Sequence, residues 1–197
     1  MQLEVNLGCC CLRVEVNDSF VENDQLFGYG ANSEGQLGVG DALNKRNPVV
    51  LDFSGPVASI ACGDTYTWFV TTSGLMLSGF GSTSIREVDT ATVEGSIVTA
   101  AARHSTMALL SNNGQVYTYS SESGKFFQST LCEATFTSVA CGETHTLALD
   151  KDGNTYSWGN NEYNKLGRST NDNPKLANIP KAKQVAAGSN HSFILLD

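Results

Sequence analysis

Apolar positions along this chain come in short runs, each closed by a turn rich in Gly, Asp, Asn or Ser, and no stretch keeps the 3.6-residue period of a helix. Thr146-Leu147-Ala148-Leu149 reads as a strand, Lys151-Asp152-Gly153-Asn154 as a turn, and Thr155-Tyr156-Ser157-Trp158 as the returning strand. Asp-Gly suits such a turn because its backbone must visit positive φ at little steric cost. Ser73-Gly74 and Asn112-Asn113-Gly114 stand in corresponding places. The intervals Gly63 to Gly74, Arg103 to Gly114 and Gly142 to Gly153 are all 11 residues, which predicts hairpins of one register. Near the N-terminus, Leu3, Val5 and Leu7 alternate with polar residues. Leu12 to Val16 and Leu26 to Tyr29 then predict two strands around a loosened turn. Phe193-Ile194-Leu195-Leu196 predicts a strand without its hairpin partner, so the chain is expected to begin and finish inside its structural units.

The pattern repeats. Four segments share a small-residue strand and a similar ending: Ile60 to Thr67, Ala101 to Thr106, Val139 to Thr146 and Val185 to Ser192. With Gly63, Arg103, Gly142 and Gly188 taken as equivalent, the spacings are 40, 39 and 46 residues. A period of this size marks one supersecondary unit whose apolar face is buried only by stacking on its neighbours. Each returning strand ends in an aromatic followed by Gly or another small residue: Tyr29-Gly30, Phe80-Gly81, Tyr119-Ser120 and Trp158-Gly159. The first and last continue as Ala31-Asn32-Ser33-Glu34-Gly35-Gln36-Leu37-Gly38 and Asn160-Asn161-Glu162-Tyr163-Asn164-Lys165-Leu166-Gly167.

An aromatic-Gly-x-Asn run, Gln-Leu-Gly, a proline (Pro48 or Pro174), a Val-Ala-x-Gly-x-x-His strand and an Asp-Gly turn, in that order, resemble the regulator-of-chromosome-condensation repeat. The resemblance covers residues 26–197 and implies an all-β fold, a β-propeller of about four repeat units. That is a partial or atypically short member of a family that closes its ring with about seven blades. Residues 1–25 are then degenerate strands of an incomplete blade, and 26–197 hold units at about 26–74, 75–114, 115–153 and 154–197. Gly30, Gly38, Gly63, Gly142, His145, Gly153, Trp158, Gly159, Gly167, Gly188 and His191 form the structural signature. The middle units depart from it: Ser82 to Arg86 and Gly124 to Phe127 replace Gln-Leu-Gly, Arg103 replaces a glycine, and Tyr66 and Thr106 replace histidine. Three arrangements satisfy the strand edges: an open arc, a small ring completed by the N-terminal strand, or self-association with another chain.

Composition narrows the chemistry. A net charge of −8, distributed as −10 over residues 1–150 and +2 over 151–197, disfavours direct nucleic-acid binding. No apolar run reaches membrane-spanning length, and the N-terminus lacks the features of a secretory signal, so a cytoplasmic or nuclear location is expected. Cys9, Cys10 and Cys11 are consecutive, while Cys62 and Cys141 share a repeat position with Ala102 and Ala187. Reduced, buried thiols are expected there rather than disulfides or a metal site. His145 and His191 recur with the repeat and are expected to bond turn backbone within their own blade, whereas His104 stands off-register and exposed. Gly28-x-Gly30 and Gly35-x-x-Gly38-x-Gly40 are not followed by a helix pattern or a Gly-Lys-Ser/Thr element, so no nucleotide cofactor is expected. No catalytic residue is indicated. Candidate partner contacts are the basic pair Lys45 and Arg46, the repeat-equivalent acids Asp64 and Glu143, His104, and the Glu22-Asn23-Asp24 cluster, all expected in blade-connecting loops. Two functions fit: a module that docks a partner protein through these loops and, implied by the resemblance, guanine-nucleotide exchange on a small GTPase. Chromatin association, also implied, is opposed by the acidic charge.

Overall fold

The computed structural model describes residues 2–7, 10–15, 25–53, 55–120, 123–129, 134–168 and 179–196, with the backbone alone for residues 2–15 and Gln25. Cys9, Glu22-Asn23-Asp24 and Pro174 lie outside these residues. Short two-residue periodicity between turn residues yields strands throughout. They are β1 (Gln2–Leu7), β2 (Cys10–Glu15), β3 (Gln25–Gly30), β4 (Lys45–Leu51), β5 (Val57–Cys62), β6 (Tyr66–Thr71), β7 (Leu75–Gly79), β8 (Ser82–Glu87) and β9 (Ile97–Arg103). There follow β10 (Thr106–Ser111), β11 (Val116–Ser120), β12 (Lys125–Gln128), β13 (Phe136–Cys141), β14 (His145–Asp150), β15 (Thr155–Gly159), β16 (Ala182–Ala187) and β17 (Ser192–Leu196). Neighbours in sequence pair antiparallel, giving sheets β1-β2-β3-β4, β5-β6-β7-β8, β9-β10-β11-β12, β13-β14-β15 and β16-β17.

The chain forms two compact units, Met1–Asp89 and Thr90–Asp197. In the first, Leu26, Leu37 and Leu51 of one sheet and its loop pack against Ile60, Cys62 and Phe69 of the next. In the second, Ala108, Leu110 and Val116 meet Phe136, Cys141 and Ala148, while Leu147 and Leu149 meet Ala182 and Val185. Strands β6 and β14 are buried at every position. Covered on both faces, they carry near-continuous apolar or small residues rather than strict alternation. Burying a side chain the size of Phe69 contributes roughly 2–3 kcal/mol. Cys62 and Cys141 are buried free thiols, and burial pushes the Cys141 thiol up to about 12. It stays protonated and donates weakly to the Ala101 carbonyl at 3.3 Å.

One equivalence differs from that expected. Tyr66 pairs with Gly79 and His145 with Gly159, so Ser78-Gly79, not Phe80-Gly81, holds the place of Trp158-Gly159. The cause is a shorter turn. Val70 pairs with Leu75, whereas Leu110 pairs with Val116 and Leu149 with Thr155. The β6–β7 turn is therefore one residue shorter, and the constant 11-residue interval does not mark one common turn position. Phe80 falls beyond the strand at φ 53° and stacks on Tyr66, ring centroids 4.6 Å apart.

Candidate functional site

The first hairpin of each sheet from β5 onward ends in a tip of common register. Cys62 pairs with Thr67, Ala102 with Met107, Cys141 with Thr146 and Ala187 with Ser192. Gly63, Arg103, Gly142 and Gly188 open these tips, and Tyr66, Thr106, His145 and His191 close them. The residue after the opener is Asp64, His104, Glu143 or Ser189. His104 is thus not off-register: it occupies the position of the two acids, is exposed, and adopts φ 48° in the tip where strand pairing extends to Arg103 and Thr106.

In the second unit three tips are tied together. Thr106 Oγ1 donates to the Glu143 carbonyl at 2.7 Å. The Glu143 amide donates to the Ser189 carbonyl at 3.1 Å. Arg103 Nε and Nη2 donate to Ser189 Oγ at 3.2 and 3.0 Å. The arginine that replaces a signature glycine is therefore a brace joining tips two sheets apart in sequence. The result is a rigid rim carrying the half-buried Glu143 and the exposed His104, Ser105, Thr144 and Asn190. Asp64 holds the same turn position, exposed, in the first unit.

The loops after β3 and β15 brace the tips from behind. Asn32 Oδ1 accepts from the Leu37 amide at 2.9 Å, and Asn161 Oδ1 from the Leu166 amide at 3.0 Å. The Gln36 carbonyl accepts from Thr67 Oγ1 at 2.8 Å, and the Lys165 carbonyl from Ser192 Oγ at 2.7 Å. Thr67 and Ser192 are register equivalents, so a hydroxyl at one position ties each loop to the following sheet, and Ser78 Oγ adds a second bond to the Gln36 carbonyl at 2.7 Å. Gln36 Nε2 also reaches the Asp64 carbonyl at 3.1 Å.

His145 does not bond turn backbone of its own hairpin through its ring, as expected from recurrence. Its Nε2 lies 3.0 Å from Ser192 Oγ in the next sheet. Because that hydroxyl spends its only hydrogen on the Lys165 carbonyl, Nε2 must be the donor and the proton sits there. Burial, then the charges of Lys165 and His191, hold the imidazole below its ordinary value of 6.5. Below that pH the unfolded chain binds the proton that the folded chain refuses. Stability is therefore expected to be level above pH 6.5 and to fall as pH drops toward the lowered folded value. Urea midpoints across this range, compared with His145→Gln, check it: the variant should lose the slope. Asp150 also titrates below its ordinary value. Its burial is outweighed by hydrogen bonds from Asn154, the Asp152 amide and Tyr156, which hold the carboxyl below 3.8.

Lys45 and Arg46 open strand β4 rather than sitting in a free loop. Lys45 is paired with Asp41 at 2.6 Å, so half of the expected basic patch is neutralised within its own loop. That ammonium holds the Asp41 carboxyl below its usual range. Arg103, Lys165, Ser192 and Asp150 were missed as organising residues, although hydroxyls recurring four residues after a tip opener were visible in Thr67 and Ser192. Among the described residues no three of His, Cys, Asp or Glu come together to hold a metal ion. No helix among them is long and apolar enough to cross a membrane.

Successive antiparallel sheets of one register, packed face on face within each unit and stapled through equivalent loops, define a blade-repeat protein of the propeller class. Models of the regulator of chromosome condensation (RCC1) repeat match residues 23–70, 136–165 and 152–195, together more than half of the chain, and it belongs to that family. The human E3 ubiquitin-protein ligase HERC2 is 28% identical over 220 residues, covering 88% of this chain and 4% of its own length. The crystal structure of human WBSCR16 aligns with a TM-score of 0.82 at 19% identity, over 98% of this chain and 57% of that one. Prp20p from Saccharomyces cerevisiae aligns at 0.72 and 19% identity, over 94% and 53%. These likenesses establish the RCC1-type β-propeller fold. The chain spans little more than half of either solved chain.

Proposed function

We propose that this chain is a protein-interaction module that docks its partner on the rim of hairpin tips, with Glu143 and His104 as central contacts. The observation that carries this reading is the bracing of three tips by Thr106, the Glu143 amide and Arg103. A surface ordered before binding loses little conformational entropy on association. Asp64, at the same turn position, and Arg46 are candidate contacts of the first unit taken by itself. Guanine-nucleotide exchange on a small GTPase is the second reading. It is favoured by the likeness to Prp20p, whose structure was described together with its binding to Gsp1p and histones. Exchange of this kind needs preferential affinity for the nucleotide-free conformer rather than acid–base residues.

The test is affinity capture from lysate with the wild-type chain, Glu143→Lys and Asp152→Asn, the last a turn residue at the other end of β14. Each bait is used once with EDTA and once with magnesium and excess GTP. A partner weakened about tenfold or more by Glu143→Lys alone is expected. Equal retention by all three baits removes the rim from consideration. A GTPase retained only in the EDTA arm selects exchange.

A further inference from the structure

The loop after β15 departs from its counterpart in a way that the repeat does not require. Where the first unit has Gln36, a neutral amide, the second has Lys165, which is only 5% exposed. Lys165 Nζ donates to Thr144 Oγ1 at 2.7 Å and to Asn190 Oδ1 at 3.0 Å, both neutral acceptors. An ammonium has three donors, and burying its charge without an opposite charge is costly. The main-chain staple made by this loop runs through the Lys165 carbonyl and needs no cation.

The same lysine lines a cavity of about 260 Å³ together with Leu147, Thr155, Tyr163, Asn190 and His191. None of the described residues lining it is a carboxylate. Thr155 is 3% exposed, and its Oγ1 has no hydrogen-bond partner among the described residues. The Tyr163 ring, 72% exposed, stands 6.0 Å from the ammonium. Tyr163 and Asn164 both hold positive φ, 64° and 58°. Of the two corresponding places in the first loop, Glu34 and Gly35, only Gly35 does so, at 76°. Two successive non-glycine residues in this region store backbone strain of a kind that collects at ligand-binding loops.

We propose that this cavity is a carboxylate-binding site. One carboxylate oxygen takes the third donor of Lys165, and the other is within reach of the Asn190 side-chain amide, whose oxygen already faces the lysine. The aliphatic part of the ligand lies between Tyr163 and Leu147. One buried ammonium beside neutral amide groups suits one carboxylate group, whereas phosphate groups favour guanidinium forks or several cations. The carboxylate is either that of a small free acid or that of an acidic side chain in a bound polypeptide. The site does not depend on the rim reading.

The test is NMR titration of the chain with glutarate, with neutral glutaramide, with inorganic phosphate and with the peptide acetyl-Gly-Glu-Gly-amide, following the amides of Tyr163, Lys165 and Asn190. Saturable shifts with glutarate or the peptide, absent with glutaramide, are expected. Lys165→Gln restores the residue type of the first loop, so it should fold, and it should weaken binding about tenfold or more by removing a charge-assisted contact. Tighter binding of the peptide identifies a polypeptide side chain, and tighter binding of glutarate a free acid. Unsaturable shifts with both carboxylates, equal shifts with glutaramide, tighter binding of phosphate, or undiminished binding by Lys165→Gln overturn the proposal. The glutaramide comparison decides the matter even if the variant fails to fold.

Discussion

Gly79→Val is expected to lower the stability of the first unit by about 3 kcal/mol or more, the largest effect of any single substitution considered. Gly79 ends β7 at φ 96°, a region that β-branched residues scarcely enter. A Cβ there would overlap Thr65 O and Tyr66 Cα, both main-chain atoms of the neighbouring hairpin tip. They cannot give way cheaply. The Tyr66 carbonyl accepts from the Gly63 amide at 2.9 Å, and the Thr65 carbonyl from the Phe80 amide at 3.0 Å. Backbone strain alone costs about 1–3 kcal/mol, and displacement of the tip adds to it. Gly40→Ala is the control: its φ is 89°, but no atom lies within 4 Å of the added Cβ, so it should cost only about 1 kcal/mol. Urea unfolding followed through Trp68, fully buried in β6, separates the two. Equal losses would show that conformation, not crowding, selects glycine at the strand end.

Asn32→Ala should destabilise the same unit by about 2–4 kcal/mol, because it strands several buried polar groups at once. Asn32 is fully buried. Besides capturing the Leu37 amide, its Nδ2 donates to the carbonyls of Asp41 at 2.7 Å and Leu43 at 3.3 Å. Alanine leaves one donor and two acceptors without these partners. It also frees Leu37, which inserts from the same loop into the apolar cluster. Asn161, half-buried, makes the matching bonds to the Leu166 amide and, at 2.9 Å, the Arg168 carbonyl, so Asn161→Ala should cost about half as much. Hydrogen exchange at the Leu37 amide reports directly on the loop. A change below about 0.5 kcal/mol, the range of neutral surface substitutions, would mean that packing of Leu37 alone holds it.

Strands, turns and their recurrence were legible in the amino-acid sequence because their causes are local. Side chains alternate across a strand, tight turns select Gly, Asp and Asn, and packing of one sheet on the next keeps Cys62, Ala102, Cys141 and Ala187 small. The RCC1 repeat followed from these features alone, and so did the burial of Cys62 and Cys141 as free thiols. Even the identity of the tip residues, Asp64, His104, Glu143 and Ser189, was present in the register, although His104 was read against the histidine column instead. What no local pattern encodes is which partner a side chain meets on another sheet. His145 meets Ser192 across 47 residues, Arg103 meets Ser189 across 86, and Lys165 meets Asn190 across 25. A one-residue shorter turn after β6 likewise shifts pairing without altering the spacing of the glycines. Chain chemistry by itself determined the repeating hairpin and the residues that can occupy it. Tertiary structure alone decided the tied rim, the tautomer of His145 and the buried charge of Lys165, because burial and hydrogen-bond partners belong to the packed sheets and not to any one of them.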